Sequence, residues 1–252
     1  TEVLAAPTDE VLTLYAQSAV LIDADTGRIL YAKNAEEQRP MASTTKIMTA
    51  LLVMEAIDQG KLSLTDQLTA SHTAMTTGLA EDGSTANIQE GEIMTVEQYL
   101  TCMLVVSANE ACNVLAQVVS GSVDSFVELM NQRASELGMA DTHFVNTHGY
   151  HDPDHYTTAY DISLMCMEAM KHETFRTIVG SKNYTMPATN LHPEPRIIRS
   201  TNALISNFRV AGYIYEYATG IKTGSTDAAG YCLLSSAEKD GQRLICVMLG
   251  CE

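Results

Sequence analysis

Basic residues are scarce in this sequence: 15 lysines and arginines stand against 31 aspartates and glutamates, a formal charge of −16. Phosphate contacts need clustered Lys and Arg, so nucleic acid and anionic lipid are poor partners for such a surface. The acidity serves solubility, and it obliges any anionic substrate to find a local cation. No apolar run approaches the roughly 18–20 residues that span a bilayer. No basic-then-apolar leader opens the chain, which predicts a mature or trimmed N-terminus. C-x-x-C pairs, zinc-like ligand spacings, phosphate-cradling glycine patterns, internal repeats and low-complexity linkers are also missing. Neither a metal nor a cofactor is therefore expected. Six cysteines are scattered at 102, 112, 166, 232, 246 and 251, and buried reduced thiols are the expectation. Cys232 and Cys246 are expected to approach each other across a hairpin.

What is present describes a globular chain. Over 252 residues, 46% are apolar and only 18% charged, enough to bury a substantial core in one domain or one domain with an inserted lobe. Ser18 to Asp23 and Arg28 to Ala32 read as strands joined at Asp25-Thr26-Gly27. Helical spacing runs from Ser43 to about Ile57, with Gly60 as its stop. Ser71 to Gly91 is polar and loop-rich. Thr95 and Gln98 form a capping-box pattern ahead of the apolar run Tyr99 to Val106. Further helices are expected after Ser107 toward Val119, over Val123 to Leu137, and after an N-cap at Asp161. Strands return over Gly220 to Gly224, Tyr231 to Ser236 and Leu244 to Leu249, with a turn at Asp240-Gly241.

Strands at both ends and helices between them predict an α+β fold. One antiparallel sheet is built from both chain ends and flanked by helices, with an inserted, mainly helical lobe. The sheet lobe is placed at 1–70 plus 195–252 and the helical lobe at 71–194 of a single catalytic domain, 1–252. The absence of a terminal helix to cover the sheet predicts that the chain continues past Glu252.

Three short segments carry chemistry. In Ser43-Thr44-Thr45-Lys46 the serine and lysine lie three apart on a helix and share a face. A serine hydroxyl needs a base, and a lysine serves as one when burial or nearby cations depress its pKa. The helix start also aims free N–H groups at developing negative charge. Alone, S-x-x-K arises by chance about once in a chain of this length, and a cap with a surface lysine would explain it. Ser107-Ala108-Asn109 falls at a break between apolar helices, where a hydroxyl and an amide can enter a cleft together. Lys222-Thr223-Gly224 opens a strand, offering fixed charge, a hydroxyl for a carboxylate, and room for substrate backbone. A given tripeptide occurs by chance at roughly one position in several thousand, so the ordered trio argues for a site.

This trio is known from class A β-lactamases and penicillin-binding proteins. More specifically, the chain resembles the low-molecular-mass D-alanyl-D-alanine carboxypeptidases, over nearly its whole length. The resemblance rests on Pro40 to Ala50, Val106 to Ala111, Leu137-Gly138-Met139 with Thr142, Phe144 and Asn146, His148-Gly149, Thr158 to Asp161, and Gly220 to Tyr231. It implies a serine β-lactamase/transpeptidase-like fold and an acyl-enzyme on Ser43, with Lys46 as base and Ser107 relaying a proton to the leaving amine. Asn109 would hold the substrate amide, Lys222 and Thr223 the terminal carboxylate, and the Ser43 and Ser225 N–H groups the oxyanion, beside Gly224. The implied partners are peptidoglycan stem peptides ending in D-Ala-D-Ala, with β-lactams as covalent inhibitors, in an extracytoplasmic setting.

Two departures accompany it. Glu110 stands where many relatives have aspartate. A second carboxylate-binding cation has no secure position: Arg199 is a weak candidate, and Thr201 fills the matching place. No E-x-x-L-N segment lies between Asn109 and Lys222, which argues against a class A β-lactamase. An endopeptidase using the same serine, or a non-catalytic peptidoglycan-binding module, would also be compatible with these motifs. His148, His151, Asp152, Asp154 and His155 are expected to be solvated or locally bonded loop residues, and the thirteen methionines core filling.

Overall fold

The computed structural model describes residues 13–252. Residues 1–12, which hold the start of the expected sheet lobe and the expected leaderless N-terminus, lie outside the described residues. Strands β1 (Ser18–Asp23) and β2 (Ile29–Lys33) come first, then the short β3 (Arg39–Pro40), a tight 3-10 turn at Ala42–Thr45 and α1 (Lys46–Asp58). The middle of the chain carries β4 (Gln67–Thr69), α2 (His72–Thr76), β5 (Ile93–Thr95), α3 (Val96–Thr101), a π-helical turn at Cys102–Val106, α4 (Asn109–Ser120) and α5 (Val123–Glu136). After them come β6 (Tyr156–Thr157), α6 (Ala159–Ala169), α7 (Glu173–Val179), β7 (Asn183–Met186) and β8 (Arg196–Arg199). The chain closes with β9 (Ala218–Thr226), β10 (Gly230–Lys239) and β11 (Gln242–Cys251).

The main sheet has the order β2-β1-β11-β10-β9, antiparallel throughout. Local chemistry starts it: Asp23 accepts from the N–H groups of Asp25 and Thr26 at 3.1 and 2.9 Å, closing the β1–β2 turn that Gly27 completes at φ 71°. Pairing β1 with β11 then joins residues more than 200 apart, Ser18 opposite Leu249. This places β9, with its Lys222-Thr223-Gly224 segment, on one edge of the sheet.

Helix α1 is apolar nearly all round, with Ile47, Met48, Leu51, Leu52, Val53 and Met54 all buried. A helix of that kind belongs in the centre of a fold, and α1 packs against α4 and α6. Each such side chain removed from water contributes roughly 1.5–3 kcal/mol. Helices α6 and α7, inside the 71–194 stretch assigned to the helical lobe, pack on β1, β11 and β9. The insertion therefore supplies part of the sheet's cover as well as a lobe.

The capping box at Thr95 and Gln98 is present in full. Asp161, expected as an N-cap, is not one. Thr158 caps α6 by accepting from the Asp161 N–H at 3.0 Å, and the Asp161 carboxylate instead accepts from Asp141 N–H and Thr142 Oγ1. Cys232 and Cys246 do not face each other either. Cys246 lies opposite Ser235, because the turn at Asp240-Gly241 pairs Lys239 with Gln242 and that register runs three residues out of step with a Cys232–Cys246 pair. All six thiols are unpaired, and burial pushes Cys102 and Cys112 up to about 12.

Candidate active site

The turn Ala42–Thr45 delivers Ser43 to the mouth of α1. Thr44 and Thr45 tie their hydroxyls back to the carbonyls of Met41 and Ala42 at 2.6 and 2.8 Å. These bonds hold the turn tight, so Lys46 becomes the first residue of α1, one turn from the serine. Lys46 is wholly buried. Its Nζ lies 2.9 Å from Ser43 Oγ, 2.7 Å from Asn109 Oδ1 and 2.7 Å from the His148 carbonyl. Burial pulls its pKa from the ordinary 10.5 down to about 8, against the opposing pull of the Glu110 carboxylate. An ammonium has three protons and would satisfy all three partners. A neutral amine gives two protons to the fixed acceptors Asn109 and His148, and its lone pair then faces Ser43.

The second segment sits where α3 ends. The π-helical turn closes in Ser107, whose φ of 71° is left-handed and uncommon for a residue with a side chain. Ser107 Oγ is buried and has no hydrogen-bond partner among the described residues. Such an orphan costs roughly 1–3 kcal/mol and leaves a hydroxyl free for another partner. Asn109 begins α4, and its N–H donates to the Ser84 carbonyl at 2.8 Å. Glu110, in the first turn of α4, is buried and accepts from Thr85 Oγ1 at 2.6 Å and Ala86 N–H at 2.9 Å. Glu110 thus ties the loop carrying Ser84 to the helix carrying Asn109.

The third segment lies on β9. Lys222 is 1% exposed, and its Nζ donates to the Thr223 carbonyl at 3.0 Å. Burial, then the neighbouring Lys46, hold its pKa well below that of an ordinary lysine. Gly224 is expected to make room for substrate backbone, but what approaches it is the protein's own turn. A Cβ at 224 would lie 3.1 Å from Ser43 N and 3.2 Å from Thr44 N. Side-chain-free backbone there lets the strand and the helix start close on each other. Thr223 Oγ1 is 2.6 Å from Thr201 Oγ1.

The three segments meet at one cleft. Its larger part, about 650 Å³, is lined by Ser43, Asn109, Tyr150, Ser225, Asp82 and Asp227 among others. Its smaller part, about 260 Å³, is lined by Ser43, Ser107, Thr201, Thr223, Ser225 and Arg209 among others. Arg199 does not join them. It is exposed on β8, stacks over Phe208 with 5.4 Å from guanidinium carbon to ring centroid, and borders a separate surface cavity.

Two of the histidines expected to be solvated or locally bonded are buried and locally bonded, in the wall behind the site. His155 accepts from Val145 N–H at Nδ1, so its Nε2 carries the proton to Thr45 Oγ1, 2.7 Å away. His148 supplies the carbonyl that holds Lys46, and its ring accepts from Tyr150 N–H. Burial keeps both rings neutral, with pKa values of about 3 and 4 for His148 and His155. Gly149 is required beside them: a Cβ there would sit 1.9 Å from the Ala42 carbonyl oxygen, at φ 88°. The only sequence signal for this wall is the His148-Gly149 pair itself, since a backbone carbonyl leaves no trace in side-chain patterns.

Solved structures with this architecture include penicillin-binding proteins. Penicillin binding protein 6B from Escherichia coli superposes with a TM-score of 0.86 at 30% identity, covering 98% of this chain and 75% of that one. Penicillin-Binding Protein D2 from Listeria monocytogenes, in its ampicillin-bound form, gives 0.80 at 28% identity, covering 96% and 92%. The fold is thus that of the penicillin-binding DD-peptidases. A family profile described as D-alanyl-D-alanine carboxypeptidase, peptidase S11, matches residues 4–252, and the chain belongs to that family. The D-alanyl-D-alanine carboxypeptidase DacF of Bacillus subtilis is 39% identical over 236 residues, 93% of this chain and 57% of the relative. The chain therefore spans a little over half the length of that relative.

Proposed function

We propose that this chain is the catalytic unit of a serine DD-carboxypeptidase. It would remove the terminal D-alanine from peptidoglycan stem peptides ending in D-Ala-D-Ala, act outside the cytoplasm, and be acylated by β-lactams. The observation that carries this function is the buried Lys46 amine, 2.9 Å from Ser43 Oγ and held by two fixed acceptors.

In the acylation step, Ser43 Oγ attacks the carbonyl between the two D-alanines while its proton passes to Lys46 Nζ. With a pKa of about 8, about one Lys46 in ten is neutral at pH 7. The oxyanion is met by the N–H groups of Ser43 and Ser225. Ser107, whose hydroxyl is otherwise unpartnered, relays the proton to the leaving nitrogen, and the peptide C–N bond breaks. Asn109 orients the substrate amide and Thr223 receives the terminal carboxylate, while Lys222, expected to share that role, is buried outside the cleft lining. Water then attacks the ester, Lys46 accepts its proton, and Ser43 regains its own.

Mass spectrometry after incubation with benzylpenicillin, with D-alanine release from a pentapeptide stem measured alongside, tests this function. A lasting adduct on Ser43, abolished in Ser43→Ala, together with D-alanine release, is the expected result. Rapid adduct turnover would make the chain a β-lactamase, and preference for a cross-linked dimer would make it an endopeptidase.

A further inference from the structure

We propose that Arg209 is the permanent cation that binds the substrate's terminal carboxylate, a specificity-determining role resting on the carboxypeptidase function. A carboxylate approaching this chain meets a formal charge of −16 and needs a compensating group at the cleft. Lys46 and Lys222 are both buried, and each is already hydrogen-bonded within the protein. Neither lines the cleft. Among the described residues that line its two parts, Arg209 is the only lysine or arginine.

The loop before β9 sets this up. Tyr215 N–H donates to the Leu204 carbonyl, Gly212 N–H to Asn207 Oδ1 and Ala218 N–H to the Tyr215 carbonyl, at 2.9, 3.2 and 3.0 Å. Within it Phe208 stacks under Arg199 on the outer side, whereas the next residue, Arg209, lines the cavity with Ser43, Thr201, Thr223 and Ser225. Arg209 makes no ion pair among the described residues, in a chain rich in acids. Its charge is also felt at Lys222, where it adds to the lowering of that lysine's pKa.

The chemistry fits a carboxylate. A guanidinium stays charged at any working pH and offers paired N–H donors to two oxygens, which an ammonium does not. Thr201 and Thr223 share one hydrogen bond between their hydroxyls at 2.6 Å. In such a pair one hydroxyl donates to the other, and the second keeps a proton to give to the substrate. Thr201 thus works with an arginine brought in from the adjacent loop.

The test compares kcat/KM for a peptide ending in D-Ala-D-Ala with that for the same peptide ending in D-alaninamide. It is run on the wild-type chain, Arg209→Gln and Arg209→Lys. Loss of a charged double hydrogen bond is worth about 10–100-fold. Arg209→Gln should lower the carboxylate-to-amide ratio by that factor, and Arg209→Lys by less. An equal loss on both substrates, or none, in a chain whose wild type cleaves D-Ala-D-Ala overturns the role of Arg209 alone. A wild type that neither cleaves that peptide nor forms a benzylpenicillin adduct overturns the carboxypeptidase function and this inference with it.

Discussion

The depressed pKa of Lys46 makes a quantitative claim about rate. At its ordinary value of 10.5, about one lysine in 3,000 is neutral at pH 7; at about 8, about one in ten is. Burial therefore multiplies the population of competent base about 300-fold. The sign follows from the direction of the shift: below pH 8 the amine is an ammonium and cannot take the Ser43 proton. The second-order rate of Ser43 acylation by benzylpenicillin should rise about tenfold per pH unit up to about 8, then level off. His148 and His155 titrate near 3 and 4 and stay neutral across this range. Lys46→Arg should slow acylation at least 10³-fold, since a guanidinium is no base at these pH values. The assay is quenched-flow mass spectrometry between pH 5.5 and 10, with circular dichroism to confirm folding. A flat profile, or an inflection near 10.5, refutes the argument. The same shift has a thermodynamic counterpart. Between pH 8 and 10.5 the unfolded chain holds a proton that the folded chain does not, so stability rises with pH there, by about 3 kcal/mol in all from this group.

Three further outcomes follow from particular contacts. Ser107→Ala removes a buried hydroxyl that has no partner; it should leave the melting temperature unchanged or raise it slightly, while acylation falls by two or more orders of magnitude. Gly149→Ala forces a Cβ to within 1.9 Å of the Ala42 carbonyl oxygen and should cost at least about 3 kcal/mol in urea unfolding, with loss of penicillin labelling. Glu110→Ala releases Thr85 and Ala86; a destabilisation of about 2 kcal/mol and faster amide exchange over 84–88 are expected by hydrogen-exchange mass spectrometry.

Much of this architecture is legible in local sequence because its elements obey local rules. The β1–β2 turn needs only Asp23 and Gly27, the capping box only Thr95 and Gln98, and α1 only its apolar run. The chemistry-bearing trio is legible too, since each segment sits at a helix start, a helix break or a strand opening. Two misses come from partners outside the element itself: Asp161 answers to Asp141 and Thr142 rather than to its own helix, and Arg199 is drawn away by Phe208. The third is one of register, since the tight turn at Asp240-Gly241 sets Cys246 opposite Ser235.

The sequence by itself determined which hydroxyl, amine and amide side chains were available to the cleft and on which kinds of element they would sit, because hydrogen-bond capping and apolar periodicity act within a few residues. Only the tertiary structure decided that Lys46 would be stripped of water and pinned by Asn109 and His148, 63 and 102 residues away. Proton affinity depends on dielectric and on neighbours in space, and neither exists until the chain has closed its sheet from both ends.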